Sequence, residues 1–143
     1  MIKKSTCVLL LSCFVMLMAC ADEKKVKVIN PNGDSELALL MREMYEDGQR
    51  IKKQIVNGEQ PEIITRFKEI HTADATEPEK VNTDAYRMYA DAYLNALNML
   101  ENSNEDDIHV NYGAMVQSCI NCHQVLCPGP IVRIKKLELP ELF

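Results

Sequence analysis

Residues 112–130 read YGAMVQSCINCHQVLCPGP, and this stretch decides how the chain folds. Tyr112, Met115, Val116, Cys119, Ile120 and His123 recur at spacings of three and four, which puts them on one face of an α-helix. The prolines of Pro128-Gly129-Pro130 have no N–H to donate and clash with the preceding turn, so the helix must stop at Leu126 or Cys127. Working backwards, the polar Asn102–Asp107 stretch is a turn, and this helix starts near Asp107.

Within it lies Cys119-Ile120-Asn121-Cys122-His123, the C-x-x-C-H pattern of covalent c-type haem attachment. Two thiols three residues apart share one helical turn, so each can add to one vinyl group of the same porphyrin. The adjacent imidazole is then placed to be the proximal iron ligand. A thioredoxin-like reading needs the pair at a helix N-terminus after a strand, whereas here it sits near a helix end. A zinc site built from Cys119, Cys122, His123 and Cys127 would have to gather sulfurs about 12 Å apart along a continuous helix.

Upstream, three more helices are expected. The first runs from about Ser35 to Asn57, with Asp34 or Ser35 as its cap and Leu37, Leu40, Met41, Met44, Ile51 and Ile55 on one stripe. Gly58 suits the left-handed residue after its end. Pro61 fits the first position of a second helix, Pro61 to about Ile70, with Ile63, Ile64, Phe67 and Ile70 inward. His71 to Asn82 reads as a loop. The third helix starts at Thr83 or Asp84 and buries Tyr86, Tyr89, Ala90, Tyr93, Leu97 and Leu100. Only Ile131–Ile134 has any strand character. Amphipathic helices on short connections predict an all-α fold, an antiparallel four-helix bundle over residues 35–127 with haem near the end of the last helix. Residues 128–143 form a C-terminal extension.

The first nineteen residues read as a signal peptide. Lys3 and Lys4 precede an apolar run, Val8 to Met18, too short to span a bilayer comfortably. Leu17-Met18-Ala19-Cys20 resembles the bacterial lipobox, which implies cleavage before Cys20 and a lipid on its sulfur. An ordinary secretory peptide or a short N-terminal anchor is the alternative. All of these put the domain outside the cytoplasm, on the periplasmic side of the cell envelope. Residues 20–34, with Pro31-Asn32-Gly33, read as a tether. Removing Lys3 and Lys4 takes the formal charge from −5 to −7.

Of six cysteines, Cys7 and Cys13 leave with the signal and Cys20 takes the lipid. Cys119, Cys122 and Cys127 remain, an odd set within a short stretch and a poor disulfide framework. The chain of 143 residues, 47% hydrophobic and 26% charged, is one globular domain. Its acidic balance argues against nucleic acid as a partner. No paired carboxylates, phosphate loop or nucleophile–base pair suggests enzymatic turnover. Redox proteins of the envelope are the expected partners, and self-association into a homodimer is left open.

No Met or His follows His123 in the chain. A sixth iron ligand must therefore come from upstream or be absent. In an up-down-up-down bundle, Met41 lies about as far from its helix start as His123 lies from its helix end, at about 1.5 Å per residue. Met41 is the first candidate and Met44 the second, with core filling or an open or apolar distal side as alternatives. Met88 and Met99 point away from the Tyr86–Leu100 face. His71 and His109 read as surface residues.

A haem-attachment motif near the end of the last helix of a four-helix bundle, with Leu40-Met41 in the first, resembles the cytochrome c-prime family, which includes low-spin members with a distal Met. The resemblance spans roughly Ser35 to Cys127. It implies haem thioethers at Cys119 and Cys122, proximal ligation by His123, and a distal position near Met41. The family's motif continues to Tyr-Arg, where this chain has Leu126 and Cys127, so the role of that Arg is not carried over; Arg133, beyond the Pro-Gly-Pro turn, is a candidate substitute that nothing in the sequence shows. Cys127 is either a small buried thiol or a haem-edge group. The extension is expected to pack over the haem end. These features imply a lipid-anchored monohaem electron carrier. A five-coordinate binder of NO or CO, and a zinc-binding or structural lipoprotein, are the alternatives.

Overall fold

A computed structural model describes residues 35–64 and 67–140. The signal peptide, Cys20 and the tether lie outside the described residues. The described chain is mostly helical and contains no strand, so the all-α expectation holds.

Helix α1 (Glu36–Val56) starts where Ser35 accepts a hydrogen bond from the Ala38 N–H at 3.3 Å. That cap is worth about 1 kcal/mol. Its inward stripe is Leu37, Leu40, Met44, Asp47, Gly48, Ile51 and Ile55. Gly58 follows the helix at φ 74°, in the left-handed region that favours glycine.

The expected helix from Pro61 to Ile70 is not formed. Residues 59–64 are irregular, and a 3-10 turn, Phe67–His71, is the regular element of that segment. The cause lies in α1. The Glu62 N–H donates to the Gln54 side chain at 3.2 Å, and its carbonyl accepts from Arg50. The Glu62 carbonyl, which would accept the first bond of such a helix, is thus held by a side chain of the preceding helix. The segment runs back along α1. Leu37 N–H reaches the Asp74 carbonyl at 2.9 Å, and Thr76 donates to Ser35 Oγ at 2.9 Å. One turn of helix follows, α2 (Pro78–Val81), inside the expected loop, with Pro78 at its first position.

Helix α3 (Asp84–Glu101) is capped by Thr83, whose hydroxyl accepts from the Tyr86 N–H at 3.1 Å. It buries Tyr86, Ala90, Tyr93, Ala96, Leu97 and Leu100, leaving Tyr89 half-buried and Met88 and Met99 exposed. The Asn104 side chain accepts from the N–H groups of Asp106 (3.0 Å) and Asp107 (2.9 Å), tightening the turn into α4 (Ile108–Leu126). The two helices pack as a hairpin. Phe67 meets Tyr93 edge-on with ring centroids 5.9 Å apart, and the Tyr86 hydroxyl donates to the Ile70 carbonyl at 2.7 Å.

The C-terminal extension forms α5 (Ile131–Ile134) and a 3-10 turn, Lys135–Leu137, not a strand. It follows the end of α4 directly, packs back along that helix as far as Tyr112, and lies on the middle of α1. Ile134 and Leu137 are buried, and the fully buried Tyr112 hydroxyl lies 3.0 Å from the Gly48 carbonyl and 2.9 Å from that of Leu137. The single hydroxyl proton is shared between two acceptors. A β-carbon on Gly48 would stand 3.2 Å from Leu137 Cδ1, so close packing here favours glycine. Lys52 donates to the Lys136 and Glu138 carbonyls at 3.0 and 2.5 Å, and Arg133 stacks over the Tyr45 ring at 4.7 Å.

Candidate haem-attachment site

The last two turns of α4 carry Cys119, Cys122 and His123, all half-buried beside the fully packed Ile120. Residues 119 and 123 lie one turn apart on one face, with residue 122 beside them. Cys119, Cys122 and Cys127 are free thiols. Burial pushes the Cys119 thiol up to about 12, with Cys122 beside it adding to the shift. Burial and then Cys127 push Cys122 up to about 11. Both are therefore protonated, neutral sulfurs at neutral pH.

His123 is held by its own helix end. Pro128 disfavours helical geometry at the residue before it. Cys127 accordingly leaves the helix at φ −155°, ψ 77°, while its N–H still reaches the His123 carbonyl at 3.2 Å. Its carbonyl turns inward and lies 2.9 Å from His123 Nδ1. A carbonyl only accepts, so Nδ1 carries the proton and donates. In the neutral ring, Nε2 then keeps its lone pair. Burial lowers the His123 pKa, opposed by the Cys127 carbonyl, so the neutral form is favoured. A protonated Nδ1 held by a carbonyl, with a bare Nε2, is the usual arrangement of a metal-binding imidazole.

Two tyrosines of α3 lie within electrostatic reach of the motif. Burial, then Cys122, pushes the Tyr86 phenol up to about 12; burial, then Cys119 and Asp47, pushes Tyr93 upward. The start of α1 is tied to the segment leading into α2, whose Lys80 feels Cys127. Helix α1 therefore begins near the end of α4 and runs opposite to it. From the Tyr112–Gly48 contact, seven residues along each helix, about 10 Å, bring Met41 level with Cys119. Met44 is packed in the core, whereas Met41 is half-buried at its edge. His71 pairs with Asp91 at 3.0 Å and His109 is exposed.

A cavity of about 390 Å³ opens between the segment 70–82 and the start of α3, lined by His71, Asp74, Asn82 and Tyr86 among others, and not by the motif residues. Among the described residues no group of three His, Cys, Asp or Glu converges as a metal-binding cluster. Covalent haem needs no such cluster, because the porphyrin supplies the equatorial iron ligands and the protein the axial ones.

One buried group escaped the sequence reading. Asp47 sits on the inward stripe of α1, 5% exposed and paired with Arg50. Among the described residues its Oδ2 and Arg50 Nε have no hydrogen-bond partner. The signal was an acidic residue at a stripe position, between Met44 and Ile51. Comparison with family models, curated proteins and solved structures returned no match for this chain.

Proposed function

We propose that this chain is a lipid-anchored, one-haem c-type cytochrome that carries electrons in the bacterial cell envelope. The observation that carries the reading is the state of the C-x-x-C-H turn: two neutral free thiols on one helix face beside a neutral imidazole fixed with Nε2 bare. Cys119 and Cys122 would hold the haem through thioethers, and His123 would be the proximal ligand. Haem c, when bound, supplies an iron that changes oxidation state by one electron. The residues of the chain hold and orient it. The Cys127 carbonyl would fix the tautomer and plane of His123. Met41, level with Cys119, is the proposed distal ligand, with Met44 as the alternative. In this reading the molecule is an antiparallel bundle of the four-helix type, in which the return segment 59–76 stands where the second helix would be.

A second reading is a five-coordinate haem protein that takes up NO or CO. The packing of both methionines favours it: Met44 is buried in the core and Met41 packs against it, and a methionine that serves as filler is not free to ligate. Absorption spectra of the reduced protein with and without CO separate the two. A low-spin spectrum unchanged by CO supports the carrier; a high-spin spectrum that shifts with CO supports the gas binder. Cell fractionation with mass analysis of the Cys20 peptide tests the lipid anchor and envelope location.

A further inference from the structure

Resting on the lipid-anchor reading, we infer that the C-terminal extension is a second membrane contact, a basic face that docks the domain on anionic lipid headgroups. Ile134 and Leu137 turn inward and are buried, at a three-residue spacing. That fixes Val132, Arg133, Lys135 and Lys136 on the outside, all exposed, with Val132 76% exposed. The segment is not free to turn over. Tyr112 and Lys52 hold its carbonyls, and Leu137 fills the space above Gly48.

The face is positive in a chain whose formal charge is −5. Lys52 of α1 adjoins it and reaches across to the segment itself. Glu138 is the acid of the described segment, and among the described residues no carboxylate pairs with Arg133, Lys135 or Lys136. Cations around an exposed aliphatic side chain are what an anionic interface attracts: the charges meet the headgroups and the valine enters the boundary below them.

The occupant is argued from the chain outside the described residues. The lipobox expectation puts the anchor at Cys20, fifteen residues before Ser35, a length of chain that can reach at most about 50 Å. The face lies on α1 between Tyr45 and Lys52, about 15–25 Å along the helix from Ser35. The tether and the basic face can therefore rest on one bilayer. No helix among the described residues is long and apolar enough to cross a membrane, so contact through this face would be peripheral.

The test uses the full matured chain on vesicles of phosphatidylcholine, alone or mixed with phosphatidylglycerol. A water-soluble amine-acetylating reagent labels Lys135 and Lys136, with the exposed Lys68 as internal reference. Labelling of Lys135 and Lys136 relative to Lys68 should fall about fivefold on the anionic vesicles and recover at high salt. A Val132→Asp variant should lose most of that protection while folding normally. Equal labelling on both vesicles overturns the proposal, as does protection that arises only when an acidic protein is added. The mass of the Cys20 peptide is read in the same sample. Protected lysines with an unacylated Cys20 uphold the basic face and reject the anchor; unprotected lysines with an acylated Cys20 do the reverse.

Discussion

His123 Nδ1 lies 2.9 Å from the carbonyl oxygen of Cys127, four residues further along the chain. This contact exists because Pro128 forces Cys127 out of helical geometry and turns its carbonyl inward. It assigns the proton to Nδ1. In haem-free protein, long-range proton–nitrogen spectra should show His123 protonated at Nδ1 and bare at Nε2. Pro128→Ala, which lets the helix continue, should raise the Nε2–H fraction. A wild-type ring protonated mainly at Nε2 would contradict the assignment.

Met41 and Met44 should separate cleanly in haem-loaded protein. Met41→Leu should turn a low-spin spectrum into a high-spin one that responds to CO. Met44→Leu should leave the spectrum alone and cost less than about 1.5 kcal/mol, as a volume-conserving core exchange. The opposite pattern makes Met44 the ligand.

Tyr112 joins α4 to both α1 and the extension. Tyr112→Phe leaves the Gly48 and Leu137 carbonyls buried without their donor, at a cost of about 1–3 kcal/mol. Urea denaturation measures the loss, and limited proteolysis should cut first between residues 128 and 140. A variant as stable and as protease-resistant as the parent would show that the extension is held by other contacts.

Arg50 is the tie between α1 and the return segment, binding Asp47, Gln54 and the Glu62 carbonyl. Arg50→Ala leaves the Asp47 carboxylate buried without its partner. Part of Arg50 is solvated, so the loss should be about 2–3 kcal/mol, below the figure for a wholly buried pair. Asp47→Asn in the Arg50→Ala background should recover part of it. No recovery would mean that the cost comes from the loosened segment alone.

Alkaline unfolding should report Tyr86. Its folded pKa is raised to about 12 by burial, above the ordinary phenol value. The folded state therefore keeps a proton that the unfolded chain loses. This contribution is whole below about pH 10 and disappears as pH rises to about 12. Tyr86→Phe should flatten the fall in stability across that window, read by denaturation at a series of pH values. Parallel curves would contradict the assignment.

The legible parts of the fold are those that local chemistry decides. Ser35, Thr83 and Gly58 end or begin helices through groups within three residues, and all three act as expected. Leu37 to Ile55 and Tyr112 to Ile120 face inward because apolar spacing alone sets the stripe. The segment from Pro61 to Ile70 departs from the expected helix because its apolar spacing is helical while its backbone partners, Arg50 and Gln54, lie eight to twelve residues away. The path of the extension has the same kind of cause. Its position depends on a glycine and a tyrosine hydroxyl far away in sequence, and no local signal reveals a Gly48–Tyr112–Leu137 contact. At the site, the C-x-x-C-H spacing was readable, but the Cys127 carbonyl that orients His123 was not, because it is a backbone group.

The most direct measurement is the intact mass and visible absorbance of the denatured protein after maturation in a cytochrome-assembling host. One haem should remain covalently bound to the peptide carrying Cys119, Cys122 and His123, with both thiols resistant to alkylation. A colourless protein of unmodified mass at that peptide, with Cys119 and Cys122 freely alkylated, would contradict the account.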